Sequence, residues 1–338
     1  MFADYVAGMD TYRKAAAAFA AQRYADAKRF ALETIRSDPD NPHAQALLGD
    51  LAYLAHDLDG AKIAWTRALT LEPRLRPIQQ RLEQLTREQA LEAGNAALET
   101  ATYIIRAPRD ATLDTAWLLK QLEEAQMFIE QQLQCTLRGP VTVLLYDPDV
   151  FYGYGGLHVP TSVAGLYDGK IRLPAPVGQG QPGPASTPIG PSVRAVIWHE
   201  LTHAVVQQLT RGRAPRWVHE GVAQAVQEHV EAIPTAALQI ALRRKTAPSI
   251  AQLEGRDSEM GQTIPMEAGL FYQASWAQME YLIAHRGWAG LHRLLDALAA
   301  GASAAEAIEQ VDGVREMEWE RQWRRWAQQH FQLPTDAP

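Results

Sequence analysis

The chain has 338 residues, 47% of them hydrophobic, which at roughly 100–200 residues per domain predicts two domains with ample core material. Its formal net charge is −7, from 32 Lys+Arg against 39 Asp+Glu, so it offers no excess of positive charge to nucleic acid or to an anionic membrane. The single cysteine, Cys135, excludes an internal disulfide and a thiolate metal cluster.

No apolar run reaches the roughly 18 residues of a membrane span. The N-terminus, Met1-Phe2-Ala3-Asp4-Tyr5, lacks a basic region followed by an apolar one. The expectation is a cytoplasmic protein, with an exported protein whose leader is absent from this chain as the alternative.

Residues 10–75 read as two helical hairpins with a period of about 34 residues. Leu48, Gly49, Ala61, Trp65, Ala68 and Pro73 mark the second, and Ala15, Ala27, Ala31 and Pro39 fall at corresponding points of the first. Small residues let paired helices approach, and the prolines end the second helix of each pair. This pattern resembles the tetratricopeptide repeat, which implies either a groove for a protein partner or a helical brace for the rest of the chain. Residues 76–98, with Leu82, Leu85 and Leu91 as apolar points, read as a capping helix and connector. A first domain over 1–98 and a second over 99–338 follow.

Beyond residue 100 the pattern changes. Thr102–Arg106 predicts a strand, Leu113–Leu133 a long amphipathic helix, and the continuous apolar run Val141–Tyr146 an inner strand. Ser162–Tyr167 and Lys170–Leu173 flank Asp168-Gly169, a hairpin-turn signal. Residues 174–191 hold six prolines and four glycines and predict a loop. The remainder reads as helices, ending in Val314–Phe331, where Trp319, Trp323 and Trp326 form a stripe suited to core packing. Strands followed by a run of helices predict an α+β domain.

Within Val193–Leu209 lies His199-Glu200-Leu201-Thr202-His203. On a helix, positions i and i+4 stand on one face, so both imidazoles can point at one ion. Glu200, rotated by about 100° from His199, can take a proton from water at the metal without ligating it. A catalytic zinc site wants three protein ligands. Val206 and Leu209 stand where the metzincin pattern needs Gly and His, which excludes that class. Downstream, Pro215-Arg216-Trp217-Val218-His219-Glu220-Gly221 opens a second helix that the turn over Gly212 and Pro215 can bring back across the first.

The whole stretch from about 100 to 330 resembles the gluzincin metallopeptidases of the thermolysin-like clan, and most nearly their peptidase MA-like domains. The resemblance implies a zincin-like domain with a small mixed sheet and a mainly helical C-terminal half. It implies one Zn2+ on His199, His203 and Glu220, with Glu200 as general base. His219 is a rival ligand to its neighbour Glu220. Gln224 takes the place of a carboxylate that supports a ligand histidine, Tyr272 the place of an oxyanion donor, and Ala164 and Gly165 the edge that pairs with an extended substrate. His229, His285 and His292 are weaker candidates. The implied activity is hydrolysis of peptide bonds in a peptide or protein substrate. Two other readings stand beside it: a partner-binding module carrying an inactive or latent zinc domain, and a zinc hydrolase acting on a non-protein amide.

Overall fold

The computed structural model describes residues 2–20, 23–109, 114–152, 164–174, 191–255 and 267–331. Most of the expected loop at 174–191 and the start of the expected strand at Ser162 lie outside the described residues. The described chain is mostly helical with a small mixed five-stranded sheet, an α+β architecture. It divides into two compact units, one of residues 1–115 with 138–184, the other of 116–137 with 185–338. These units cut across the sequence boundary at 98/99.

The first unit opens with α1 (Phe2–Ala20), α2 (Tyr24–Ser37), α3 (Pro42–Leu54), α4 (Leu58–Leu71) and α5 (Arg76–Glu92). Asn41 and Asp57 cap α3 and α4 by accepting from the backbone N–H three residues on. Ala15, Ala18, Ala27 and Ala31 are fully buried and pack with Leu47 and Leu51. Gly49 makes room for an indole: a Cβ there would fall 2.2 Å from Trp65 Cδ1. Trp65 also donates its Nε1–H to Asp50 at 3.0 Å.

Within the stretch expected as a capping helix and connector, the helix ends at Glu92 and Ala96–Glu99 forms β1. Three of its four residues are exposed, so no alternation of apolar residues announces it. It pairs antiparallel with β2 (Tyr103–Ala107), whose buried residues do alternate. After α6 (Thr115–Leu133) come β3 (Val141–Tyr146), α7 (Pro148–Tyr152), β4 (Leu166–Tyr167) and β5 (Ile171–Pro174). The order is β1-β2-β3-β5-β4, with β3 parallel to both neighbours and buried along its whole length, as an unbroken apolar run requires.

Charged groups join the N-terminal helices to this sheet inside the first unit. Lys170 and Arg172 are 0% and 1% exposed. Lys170 Nζ donates to Glu88 on α5 at 2.5 Å and lies 3.7 Å from the centre of the Tyr53 ring. Arg172 donates to Glu88, to Tyr53 on α3, to Tyr146 on β3 and to Asp168. His56 bridges Lys170 and Glu92. Burial pushes the Glu88 carboxyl up, but Arg172, Lys170 and the hydrogen bonds from Lys170 and Tyr53 outweigh it and hold it at about 2. His56, Glu88 and Glu92 lie close enough together to suggest a metal group, but two cationic side chains already occupy Glu88.

The second unit contains α6, α8 (Val193–Thr210), α9 (Arg216–Gln227), α10 (Ala236–Arg243), α11 (Ile250–Leu253), α12 (Ala268–Ala300, bent at Gly287), α13 (Ala304–Asp312) and α14 (Glu316–His330). Trp319 and Trp323 are buried and donate their indole N–H groups to Gln278 and to the Ala277 carbonyl on α12, so the stripe is packing. Among the described residues no helix is long and apolar enough to cross a membrane.

Candidate metal centre

Eleven residues of α8 are buried, which sets it inside its unit. Its start is fixed by Ser192, whose side chain accepts from Ala195 N. Its end is fixed by Arg211 in the left-handed region (φ 56°). The chain then turns through Gly212 and Pro215 into α9, which packs on α8 and on α12. Gly221 makes the α9–α12 approach close: a Cβ there would meet the Ser275 carbonyl oxygen at 2.5 Å.

This packing brings His199, His203 and Glu220 together, with one ligand atom from each lying within 4.8 Å of the others. Glu220 Oε2 is 3.3 Å from His199 Nε2 and 3.5 Å from His203 Nε2. The three side chains are 12–14% exposed, so the centre is shielded but open to a small ligand. His219 is not in the group; its ring centre is 5.8 Å from that of His203.

The chemistry of these groups suits a divalent cation. Burial, together with the positive surroundings of His199, His219 and Arg216, pushes His203 well below the ordinary histidine range. It is therefore a neutral imidazole, the form that ligates. His199 Nδ1 lies 2.9 Å from Gln227 Oε1. An amide oxygen accepts, so Nδ1 carries a proton, and Nε2, the nitrogen that faces Glu220, is the atom that would ligate a metal. Glu200 is 6% exposed, and its Oε2 is buried with no hydrogen-bond partner among the described residues. Burial pushes its carboxyl up to about 7, with His199 opposing and Glu220 adding. An orphaned carboxylate oxygen beside two imidazoles and a second carboxylate is costly unless an ion and its water complete the site. The residues present therefore fit zinc.

The other sequence candidates are distributed as follows. His199 Nδ1 meets Gln227, one turn beyond Gln224 on α9, and Gln224 Oε1 is buried with no hydrogen-bond partner among the described residues. Tyr272, on α12, accepts a hydrogen bond from Arg216 at 3.4 Å, and Arg216 Nε is 3.7 Å from Glu220 Oε1. Burial first, and then the Glu220 and Glu200 charges, raise the Tyr272 hydroxyl, so it stays protonated as a donor. Ala164 and Gly165 are half-buried and lead into β4, the edge strand of the sheet in the first unit. His229 stacks on Phe128, His285 bonds the Tyr281 carbonyl, and His292 pairs with Asp296. Cys135 has its thiol pushed up to about 11 by burial, the reverse of a reactive thiolate.

Sequence reasoning missed Gln227 and Arg216. Both fall on the Glu220 face of α9, at i+7 and i−4, and that spacing was the available signal.

An imidazole pair on one buried helix, faced by a carboxylate from the next, defines a candidate divalent-metal site. Residues 185–329 match the Peptidase MA superfamily, which supports a metallopeptidase-like domain over that stretch. The match covers the helices of the candidate site and stops short of the sheet. Among curated proteins, none matches the chain.

Proposed function

We propose that the protein is a zinc-dependent metallopeptidase of the gluzincin type, with zinc held by His199, His203 and Glu220. The single observation carrying this reading is the convergence of those ligand atoms within 4.8 Å, beside the buried Oε2 of Glu200, which has no hydrogen-bond partner among the described residues. The superfamily match supplies the class of reaction.

Zinc held by His199, His203 and Glu220 would supply Lewis acidity, the chemistry that lowers the pKa of a water toward neutral. Glu200 takes a proton from the attacking water at Oε2 and delivers it to the leaving amine. Tyr272 donates its O–H to the oxygen of the scissile carbonyl as negative charge develops there. Gln227 fixes the tautomer of His199. Ala164 and Gly165, which lead into the edge strand β4, are the backbone that would pair with an extended peptide. The paired helices α1–α2 and α3–α4, with their buried alanines and the Gly49–Trp65 fit, support a tetratricopeptide module for a protein partner.

Glu200→Gln tests the reading. It should keep stoichiometric zinc and lower peptide hydrolysis by about 10²–10⁴-fold, the usual worth of a general base. Metal analysis beside hydrolysis of a mixed peptide library reads both. Undiminished hydrolysis removes Glu200 from its role. A wild-type chain that holds zinc and cleaves nothing favours the partner-binding module with an inactive zinc domain.

A further inference from the structure

Arg216 stands at the rim of the centre, and its surroundings do not suit a stabilising ion pair. It is the first residue of α9, one turn before Glu220 on the same face. The two oxygens of Glu220 are divided: Oε2 faces the imidazoles, while Oε1 lies 3.7 Å from Arg216 Nε. The guanidinium is held in place by α12, lying 5.0 Å from the centre of the Phe271 ring and donating to the Tyr272 hydroxyl. Its side chain is nevertheless 70% exposed. Exposed pairs of this kind contribute little to stability. Where Glu220 ligates a divalent ion, the ion matches its charge, and among the described residues no other carboxylate pairs with Arg216.

A guanidinium carries five N–H donors in a planar fork that matches a carboxylate. Only one of them is spent on Tyr272 among the described residues. Because the Tyr272 oxygen accepts from Arg216, its own hydrogen is kept for the scissile carbonyl beside that carboxylate. The rim therefore presents a positioned cation and an adjacent hydroxyl donor within a few ångströms of the carboxylate that would hold the metal.

Resting on the metallopeptidase reading above, we infer that Arg216 is a specificity-determining residue that selects substrates bearing a carboxylate next to the scissile bond. That carboxylate is either the free C-terminus of a peptide or an Asp or Glu side chain. The chemistry is shared: a planar anion received by the Arg216 fork, with Tyr272 beside it.

Binding to zinc-loaded Glu200→Gln protein, measured by calorimetry, tests this without requiring turnover. One pair of peptides differs only in a free against an amidated C-terminus. A second pair, both amidated, differs only in an internal Asp against Asn. At least one carboxylate peptide should bind about 10-fold more tightly than its neutral twin, as a charge-assisted bidentate contact implies. The contrast should vanish when Arg216→Gln is added and return in part with Arg216→Lys, with zinc content unchanged throughout. A contrast in the first pair identifies a reader of chain ends, and one in the second pair a reader of acidic side chains. Equal affinity within both pairs, including no detectable binding, overturns the proposal. So does a contrast that survives Arg216→Gln, or loss of zinc on that substitution, which would make Arg216 a support for Glu220 alone. A wild-type enzyme that cleaves peptides without preferring carboxylates sinks this inference only. A zinc-loaded wild-type chain that cleaves nothing sinks the peptidase reading and leaves the binding contrast decisive here.

Discussion

At the scale of single residues, the division of labour on the α9 face can be tested by exchanging neighbours. Gln227 accepts from His199 Nδ1, whereas Gln224 Oε1 has no hydrogen-bond partner among the described residues. Gln227→Leu should therefore weaken zinc binding by about 10–100-fold, the usual effect of losing a support for a ligand histidine. Gln224→Leu should weaken it far less. Competition with a fluorescent chelator measures both, and the reverse order would return Gln224 to the role that the sequence pattern implied. His199, Glu200 and His203 were legible because their relation is local: four residues on a helix fix a shared face whatever surrounds it. The choice between Gln224 and Gln227 was not legible. Both sit on the Glu220 face, and the angle between α8 and α9 decides which one reaches the imidazole.

At the scale of elements, two contacts carry measurable consequences. A methyl group at position 221 would press on the Ser275 backbone of α12, at 2.5 Å from its carbonyl oxygen. Backbone cannot swing aside as a side chain can, so Gly221→Ala should destabilise the fold by about 1–3 kcal/mol in urea titration. It should also weaken zinc binding, because α9 carries Glu220. The second contact is the buried attachment of β5 to α3 and α5. Glu88 is held at about 2 in the folded chain, below its ordinary 4.5. Its contribution is complete above pH 4.5 and lost as pH falls through 2, an effect of about 3 kcal/mol. Acid unfolding followed at the first unit should show this slope, and Glu88→Gln should remove it. The same substitution leaves Lys170 and Arg172 buried without their anion, so it should cost roughly 3–5 kcal/mol at neutral pH. The sequence displayed β3 as an apolar run but concealed β1, whose exposed Ala-Ala-Leu-Glu has the composition of a helix and becomes a strand by pairing with β2.

At the scale of the whole chain, the two compact units are each built from separated stretches, because residues 116–137 belong with 185–338. The candidate metal centre lies wholly within the second unit, between α8 and α9. Anything that binds the folded state alone stabilises it, by about 2.7 kcal/mol at a hundredfold excess over Kd. Chelation should therefore raise amide hydrogen exchange across 193–227 and leave 141–146 and 171–174 in the first unit unchanged. Equal responses in both stretches would show that the ion binds elsewhere or not at all. No local signal foretold that the N-terminal helices share a unit with the sheet. Their union rests on Lys170 and Arg172 meeting Tyr53, His56 and Glu88, pairs more than 80 positions apart.

The sequence by itself determined what depends on neighbours along the chain. That covers the helix face bearing His199 and His203, the place of Glu200 beside them, the small residues of the N-terminal helices and the apolar run of β3. Backbone geometry sets these relations before any element packs. Tertiary structure alone decided which groups meet across elements: Gln227 under His199, Arg216 against Tyr272, and Glu88 between two buried cations. Such meetings depend on crossing angles and on close approaches such as that at Gly221. A shift of one helical turn would replace each partner with another residue on the same face.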